Sequence, residues 1–431
     1  MKNKLALLAL SAVMTLMITA CSTGTGGSGA DSSTSDDSAE TQGSQQAAND
    51  ELVPEPGAEL LFWTYDDQNS FAEHAASEFE KQYGIPVTIE NVAYWDSVAR
   101  MSTDGPAGTG ADVFGLQNEG IVQAVKAGLV LPNDYFEEDT RAVSRDEALA
   151  AATYDGILYG YPWNVYTTSL YYNKELVGEA TFETWDDIIS FSKQFNDPAN
   201  NKFGFMFQGN VGFFDLAFMT GYGGYIFGNG ETDTSDIGLN NEGSVKGMEF
   251  FQSLKEILPM NLADITGDVK TGLWQQGKVA INLDGSWAIG SNGELPFEVG
   301  VMPMPKLPGG ETAKPLAGYT SYFVSSYSKY PNAAKLFAHF ITTKEMQIKN
   351  NELTGAIPAA NDVESDIRKD EMTQGFYKQI NDSHRVPNLL ETQYVWQYLD
   401  PAAVEIWNGA DPKAALDQAV ANIRESIANQ Q

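Results

Sequence analysis

Short apolar runs alternate with helical periods along most of the chain. Glu59 to Trp63, which is mostly apolar, is a predicted strand, and Val87 to Val92 is the next predicted strand. Between them an apolar residue recurs every four positions, which predicts a helix with Ser70 as its cap and Gly84 as its end. This order predicts a strand–helix–strand unit with parallel strands.

The same alternation continues toward the C-terminus and predicts an α/β fold. The further predicted elements are a loop at Gly105 to Gly110, a strand at Val113 to Leu116, a helix from Ile121 to Gly128, a helix capped by Thr184, a strand at Phe203 to Phe207, helices at Ser244 to Ile257 and Val269 to Gln276, a strand at Val279 to Leu283, and helices after Pro331, the last beginning at Asp411 and Pro412. Helices between strands are typical of a sheet with flanking helices. Residues 59–431 exceed one typical core, so we expect two lobes.

The N-terminus has the pattern of an export signal. Lys2 and Lys4 precede an apolar run to Ala20, which is shorter than the roughly 20 apolar residues that span a bilayer. The run ends in Ile-Thr-Ala-Cys21, which resembles a bacterial lipobox, and Cys21 is the only cysteine, so it cannot form an internal disulfide. We predict a lipoprotein signal peptide at 1–20 and lipidation of Cys21; the alternative is an ordinary signal peptide with an incidental cysteine.

Residues 21–58 are predicted to be a flexible acidic linker. Ser22 to Asp50 contains no Leu, Ile, Val or aromatic residue. Such a segment cannot bury enough apolar surface to offset the entropy of ordering. We therefore expect a tether between a lipid anchor and a body that begins near Glu59.

The acidic balance excludes two classes of partner. The formal net charge is −32, and without the predicted signal peptide 24 basic side chains face 58 acidic ones, a net charge of −34. This charge repels nucleic acids and anionic lipid head groups. Binding of nucleic acid, and direct docking of the body on a membrane, are not expected.

Signatures of catalysis and of metal binding are missing from the sequence. His74, His339 and His384 are scattered, and no Gly-x-Ser-x-Gly motif occurs. Gly272 to Lys278 resembles a phosphate loop, but Val279 stands where Ser or Thr must hold magnesium. We predict no catalytic residue, no metal site and no cofactor.

Aromatic residues instead gather at predicted loops and strand ends beside amides and carboxylates. A sugar ring presents an apolar face that stacks on an aromatic ring and hydroxyls that need polar partners, so this combination indicates a sugar cleft. The alternative for any single aromatic is core packing. The candidate segments are Trp63 to Gln68, Gln117 to Glu119, Tyr161 to Tyr166, Phe213 and Phe214, Asp284 to Trp287, Gly318 and Tyr319, and Tyr394 to Trp396.

The body resembles the solute-binding proteins of ABC sugar importers, most closely the maltose/maltodextrin-binding group, over about Glu59 to Ile427. The segments that carry the resemblance are Phe79 to Ile85, Gly110 to Asp112, Ser169 to Leu176, Gly223 to Tyr225, Asp284 to Ala288, Thr354 to Pro358 and Val386 to Asn388. Each segment alone is a loose match, whereas their common order is specific to the superfamily.

The resemblance implies a two-lobed fold in which each lobe is a sheet flanked by helices. Three hinge crossings are expected near Tyr161 to Thr168, Lys314 to Ser321 and Asp366 to Thr373. The N-terminal lobe would comprise 59–164 plus 318–368, and the C-terminal lobe 165–317 plus 369–431. The family captures a ligand between the lobes and delivers it to membrane permease subunits, so no nucleotide is expected in this chain.

The resemblance also implies ligand contacts at particular positions. Asp67 and Glu119 fall on acidic contacts of the family, Trp287 and Trp396 on stacking tryptophans, and Phe213 on a stacking tyrosine. Gln68 also falls on a contact, and Trp163 and Tyr166, near a crossing, are expected to add stacking. The departures from the family pattern are Leu116 for a tryptophan, Gly120 for an arginine, Gln68 for a lysine, Tyr166 and Val211 for two glutamates, and Asp400 for an arginine.

The sequence therefore favours a monomeric, lipid-anchored binding protein at the outer face of a bacterial cytoplasmic membrane. Its expected ligand is an oligosaccharide, with maltodextrin first and another oligosaccharide or a disaccharide as alternatives. A secreted carbohydrate-active enzyme that uses two carboxylates is the alternative from a different class.

Overall fold

The computed structural model describes residues 52–291 and 295–430. The predicted signal peptide, Cys21 and nearly all of the predicted linker lie outside the described residues. Within those ranges, no helix combines the length and the apolar content needed to cross a bilayer.

The strands of the described ranges are mostly short. In chain order they are β1 (Leu60–Thr64), β2 (Val87–Asn91), β3 (Val113–Gln117), β4 (Thr153–Tyr154), β5 (Ile157–Leu158), β6 (Tyr161–Asn173), β7 (Phe203–Met206), β8 (Asp233–Ile237), β9 (Val279–Gly285), β10 (Val299–Met302), β11 (Leu316–Val324) and β12 (His384–Arg385).

Helices occupy most of the remaining chain. In order they are α1 (Asn69–Tyr83), α2 (Ser97–Ala107), α3 (Ile121–Lys126), α4 (Glu137–Val143), α5 (Asp146–Ala151), α6 (Lys174–Val177), α7 (Trp185–Phe195), α8 (Gly212–Thr220), α9 (Gly228–Glu231), α10 (Glu242–Ser253), α11 (Gly267–Gln275), α12 (Ala288–Ser291), α13 (Pro331–Thr342), α14 (Lys344–Thr354), α15 (Glu371–Ile380), α16 (Thr392–Trp407) and α17 (Pro412–Gln430).

Nine strands of the described residues form one hydrogen-bonded sheet. Its path runs β2-β1-β3-β11-β6-β9-β7, with β10 beside β6 and β12 beside β11. β1 is parallel to both β2 and β3, and β7 is parallel to β9. The parallel groups therefore lie at the two ends of the path, and the antiparallel strands β11 and β6 lie between them.

β6 is shared by the two parts of the sheet. Tyr161 to Thr167 pairs with β11, whereas Thr168 to Tyr172 pairs with β9. One 13-residue strand thus passes from one half of the body into the other.

Each half has its own hydrophobic core. Beside β1–β3, Phe62 packs edge-on against Phe337 at a ring-centroid distance of 5.2 Å, whereas its neighbour Trp63 belongs to a separate cluster on the other face. This alternation buries both faces of the parallel strands, as expected when helices cover a sheet on both sides. The other half packs around Trp185, which contacts Phe205 at 5.1 Å and Phe218 at 5.3 Å.

Most predicted elements are present, with ends shifted by a few residues. Gly84 closes α1 in the left-handed conformation, and Thr184 forms a capping box with Asp187. The last helix begins at Pro412, and the carboxylate of Asp411 accepts a hydrogen bond from the amide of Ala414.

Three local predictions were wrong. Ser70 lies inside α1 rather than at its cap, because a 3-10 turn at Asp66–Gln68 runs directly into the helix. The first half of the predicted loop, 105–107, is the last turn of α2, in which Gly105 makes room for the ring of Tyr327, and only Gly108 to Gly110 lie beyond the helix. α10 is capped by Asn241, before the predicted start at Ser244.

Candidate functional site

A cavity of about 1100 Å³ opens at the carboxyl ends of the parallel strands. Side chains that follow β1, β2 and β3 line one side, and side chains that follow β7 and β9 line the other. Ligands of α/β proteins commonly bind beyond the carboxyl ends of parallel strands, since loops and helix starts converge there. The cavity is therefore the main candidate site.

Two 3-10 turns place the polar groups on the β1–β3 side. The turn Asp66–Gln68 follows β1 and the turn Asn118–Gly120 follows β3, and each leads into a helix. These turns direct Asp67, Gln68 and Glu119 to the cavity.

The opposite side is formed by the start of α8, the turn after β9 and one face of α16. Val211 to Phe214 lie at the beginning of α8, and Ser286 and Trp287 come directly after β9. Trp396 and Asp400 are four residues apart on α16, so they share one face of that helix. Asp400 accepts a hydrogen bond from the amide of Gly212 at 2.7 Å, which ties α16 to α8.

Strands β6 and β11 carry the lining between the two sides. Asn164 and Tyr166 of β6 and Thr320 of β11 contribute to it. Asn164 and Tyr166 are two positions apart, so they point to the same face of the sheet.

Three aromatic rings form a cluster in the cavity wall. The ring centroid of Tyr166 lies 5.8 Å from that of Phe213 and 6.0 Å from that of Trp287, and the Phe213 and Trp287 centroids are 6.1 Å apart. Trp287 is 38% exposed. The cluster offers an apolar surface on which a flat ligand face can pack.

A second aromatic group lies on the side of β1 and β2. Tyr65 contacts Tyr94 at a centroid distance of 6.0 Å and Trp95 at 5.2 Å. All three line the cavity, and Trp95 is 61% exposed. Apolar rings therefore face the cavity from both sides.

Several buried oxygens of the lining have no hydrogen-bond partner within the described part of the chain. They are Oδ1 of Asp67, Oε1 of Gln68, Oε2 of Glu119 and Oδ1 of Asn164. A buried acceptor without a donor is costly, so each of these atoms favours a ligand that brings hydroxyl or amide donors.

Acidic groups dominate the charge of the cavity. Burial raises the pKa of Asp67 to about 6, partly opposed by a hydrogen bond from Gln68, and burial also raises the pKa of Glu119. Burial raises the pKa of Asp400 to about 6 as well. The lining contributed by the described residues contains no Lys, Arg or His. The site therefore suits a ligand that donates hydrogen bonds and carries no negative charge.

A buried ion pair supports the turn that carries Trp287. Nζ of Lys270 lies 2.5 Å from Oδ2 of Asp284, and both side chains are at least nine-tenths buried. Oδ1 of Asp284 accepts a hydrogen bond from the amide of Gly285 at 2.8 Å, and the Lys270 ammonium lies 5.5 Å from the ring centroid of Phe214. In the described residues, no three His, Cys, Asp or Glu side chains are grouped as metal ligands.

The structure brings together seven of the eight ligand contacts expected from the sequence. Those that line the cavity are Asp67, Gln68, Glu119, Tyr166, Phe213, Trp287 and Trp396.

Trp163 does not reach the cavity, contrary to expectation. It is 2% exposed and stacks on Tyr322 at a centroid distance of 5.2 Å and an interplanar angle of 7°. Side chains alternate between the faces of a strand, so the residue before Asn164 points away from the face that Asn164 and Tyr166 share. In this structure Trp163 is a core residue.

Other lining residues were not predicted as ligand contacts. Among them are Tyr94, Trp95, Thr320, Thr354 and Asp400, of which Asp400 was noted only as a departure from the family pattern. Tyr94 and Trp95 follow the predicted strand at Val87 to Val92, just as Asp67 and Glu119 follow theirs, so position after a parallel strand was the available signal. Thr320 and Thr354 carry no comparable signal, because they lie within β11 and α14.

Comparisons with known proteins all match this chain to solute-binding proteins. Residues 74–374 match the family described as bacterial extracellular solute-binding protein. The galactooligosaccharide-binding protein of Bacillus subtilis (strain 168) is 33% identical over 384 residues, which cover 86% of this chain and 90% of that protein. The maltooligosaccharide ABC transporter solute-binding lipoprotein of Streptococcus pneumoniae (strain ATCC BAA-255 / R6) is 27% identical over 388 residues, covering 86% and 89%.

A solved structure supports the same relationship. A cyclo/maltodextrin-binding protein complexed with maltotetraose superposes with a TM-score of 0.75 at 31% identity, covering 86% of this chain and 97% of that one. The two-lobed α/β fold and the family resemblance expected from the sequence are confirmed.

Proposed function

The chain belongs to the bacterial extracellular solute-binding protein family, and from this membership we propose that it captures an oligosaccharide outside the cell and delivers it to the permease subunits of an ABC importer. The observation that carries the proposal is the cavity itself. It combines exposed aromatic rings with buried oxygens that have no donor among the described residues, and an uncharged saccharide complements both features.

Each of the seven predicted contacts that line the cavity has a role in this proposal. Asp67, Gln68 and Glu119 accept hydrogen bonds from sugar hydroxyls. The aromatic rings pack on the apolar faces of the sugar rings, and these stacking residues are Tyr166, Phe213, Trp287 and Trp396. Every charged side chain of the described lining is acidic, which disfavours uronates, sialylated glycans and sugar phosphates, because a negative ligand would meet like charge at short range.

Maltodextrin is the first candidate ligand. The pneumococcal relative is described as a maltooligosaccharide-binding protein, and the solved structure that superposes on this chain holds maltotetraose. A galacto-oligosaccharide is the second candidate, because the Bacillus subtilis relative named for that ligand is 33% identical. Both are neutral oligosaccharides and fit the chemistry of the cavity.

Capture requires a ligand that contacts both lobes. We place the lobes at 59–164 plus 318–368 and at 165–317 plus 369–431. Only a ligand with contacts on both sides favours the closed arrangement, since a ligand that touches one side binds open and closed forms equally. The chain then releases the sugar intact and performs no chemistry on it.

We further propose that the protein is a monomer attached to the outer face of the cytoplasmic membrane through lipidated Cys21. The pneumococcal relative is described as a lipoprotein, which supports this assignment. The attachment lies outside the described residues and rests on the sequence pattern at the N-terminus.

Calorimetric titration against a panel of saccharides tests the function. The panel contains maltose to maltohexaose, galacto-oligosaccharides of matched lengths and galacturonate oligomers. Saturable one-to-one binding of a neutral series, without binding of the uronates, is the expected result. Failure of every saccharide to bind would overturn the proposal.

The same samples separate a binding protein from an enzyme. After prolonged incubation with excess maltohexaose or galacto-oligosaccharide, reducing ends and product lengths are measured by chromatography. An unchanged saccharide supports transport, whereas new reducing ends or unsaturated products would identify a carbohydrate-active enzyme.

A further inference from the structure

Trp95 has the largest exposed fraction of the tryptophans in the described part of the chain. It is 61% exposed, and the next is Trp287 at 38%. Single apolar residues on a surface are common and need no explanation. Here, however, both exposed tryptophans line the same cavity, and they do so from opposite sides.

The indole of Trp95 is held against other rings. Tyr65 packs edge-on against it at a centroid distance of 5.2 Å and an interplanar angle of 61°, and Tyr94 supports Tyr65 from 6.0 Å. Tyr94 is itself buried, and its hydroxyl shares a hydrogen bond of 3.0 Å with Oγ1 of Thr64 at the end of β1. A ring supported in this way loses little conformational freedom when a ligand stacks on it.

The backbone around Trp95 is also constrained. The residue lies in the turn between β2 and α2, where the amide of Asp96 donates to the carbonyl of Ala93 at 2.9 Å. The backbone position of Trp95 is therefore set by a closed turn between two regular elements, and the contact with Tyr65 restrains the indole.

The two aromatic groups stand on different parts of the fold. Tyr166, Phe213 and Trp287 come from β6, α8 and the turn after β9, whereas Trp95 and its supporting tyrosines follow β1 and β2. The cavity of about 1100 Å³ also exceeds the roughly 300–1,000 Å³ typical of small-molecule pockets. A ligand that contacts both groups spans the cavity from the β1–β3 side to the side of α8 and β9.

We propose that Trp95 is an outer stacking position for an additional sugar ring, so that the site selects saccharides longer than a disaccharide. A disaccharide would occupy the cluster around Trp287 and leave the Trp95 indole in water. A longer chain would cover it and gain the apolar contact. This inference rests on the proposed function and names the chain length that the site prefers.

The test compares affinities along a saccharide ladder for four proteins. Wild type, Trp95→Ala, Trp95→Phe and Trp287→Ala are titrated with the di-, tri-, tetra- and hexasaccharides of the malto and galacto series. Trp95→Ala should weaken binding of the tetra- and hexasaccharide by about tenfold and leave disaccharide affinity within about twofold. Trp95→Phe, which keeps a ring, should recover most of the loss, and Trp287→Ala should weaken all lengths together.

Tyr135→Ala is the matched control, because Tyr135 is an exposed aromatic residue at 45% that does not line the cavity. It should change no affinity, and melting temperatures should show that every variant is folded. If Trp95→Ala lowers the affinity equally for all saccharide lengths, or lowers none, Trp95 is not an outer stacking position. The proposed function would still be supported in that case, because the wild type binds saccharide. Absence of saccharide binding by the wild type would overturn both.

Discussion

The ring of Tyr166 lies directly against the backbone of Gly318 on the neighbouring strand. A β-carbon added to Gly318 would fall 2.1 Å from Cζ of Tyr166, and the two residues are partners in the register of β6 and β11. The glycine therefore provides the space that the tyrosine ring occupies beside Phe213 and Trp287. Two strands, rather than a loop, set the position of the central ring of the site.

Gly318→Ala should displace that ring. The new methyl group would overlap with the far end of the Tyr166 side chain. We therefore expect the free energy of unfolding to fall by about 1 to 3 kcal/mol and saccharide binding to weaken. Chemical denaturation and calorimetric titration measure the two effects. Gly272→Ala is the control, because nothing lies within 4 Å of a β-carbon there; unchanged affinity in Gly318→Ala would contradict the role of this contact.

Trp287→Ala and Trp396→Ala test the cavity as the sugar site. Each removes an aromatic surface of the lining, so each should weaken binding by about 1 to 3 kcal/mol while the protein stays folded. Quenching of tryptophan fluorescence and calorimetry provide independent readouts. If both variants bind saccharide as tightly as the wild type, the ligand lies elsewhere.

Lys270→Met should destabilise the protein more than a surface substitution would. It leaves the buried carboxylate of Asp284 without its cation, and loss of one partner of a buried pair costs about 3 to 5 kcal/mol. The double variant Lys270→Met, Asp284→Asn removes both charges and should regain most of that stability. Denaturant unfolding measures the free energy of unfolding of both variants. If that free energy falls by less than about 1 kcal/mol in Lys270→Met, the ion pair contributes little to stability.

Asp400→Asn should raise stability at pH 7 and have little effect at pH 4. Burial raises the pKa of Asp400 to about 6, and burial together with Asp400 raises the pKa of Asp215 well above its ordinary value. Between about pH 4 and 6 the folded state retains a proton at Asp400 that the unfolded state releases, so stability falls as pH rises through this window.

The asparagine keeps an acceptor for the Gly212 amide and removes the cost of the charge. We expect the free energy of unfolding to rise by about 1 to 2 kcal/mol at pH 7. This is less than the pKa shift of Asp400 alone would give, because the side chain is partly in contact with solvent. Melting temperatures of both proteins from pH 4 to pH 8 give the comparison. Parallel curves would show that Asp400 does not titrate in this range.

Cys21→Ser should release the protein into the medium. The linker and the body are predicted to be independent, so saccharide affinity should not change when the acylation site is lost. Cell fractionation with immunodetection locates the protein, and titration of the secreted form measures its affinity. Continued retention on the membrane would contradict an anchor at Cys21.

Local sequence signals predicted β1, β2, β3, β7 and β9, five of the twelve strands in the described ranges, and several of the helices, because apolar periodicity and capping residues act over a few positions. Gly84 and Thr184 show this, since each ends or begins a helix as expected. The prediction for Gly105 failed because this glycine does not form a turn. It leaves space for the ring of Tyr327, a residue distant in sequence. The long strand β6 was missed because its 13 residues pair with two different partners, and pairing is not a local property.

The site was predictable where it follows the order of elements. Asp67 and Glu119 come directly after the parallel strands β1 and β3, whose carboxyl ends lie at one edge of their half of the sheet, and Trp287 comes directly after β9, which belongs to the second parallel group. Trp163 and Tyr166 looked equivalent in the sequence, since both are aromatic residues near one expected crossing. Because side chains alternate between the two faces of a strand and these residues are three positions apart, they point to opposite faces: Trp163 is buried and Tyr166 lines the cavity.

The sequence by itself determined the class of fold and the aromatic and acidic character of the site, because composition and periodicity carry these directly, and it predicts an export segment and a linker before the body. Tertiary structure decided which rings face the cavity, which oxygens lack partners and where Trp95 stands. Those properties depend on strand register and on contacts between residues far apart in the chain, such as Gly318 with Tyr166 and Asp400 with Gly212. The burial of a side chain and its distance from residues far away in the sequence are defined only once the chain is folded.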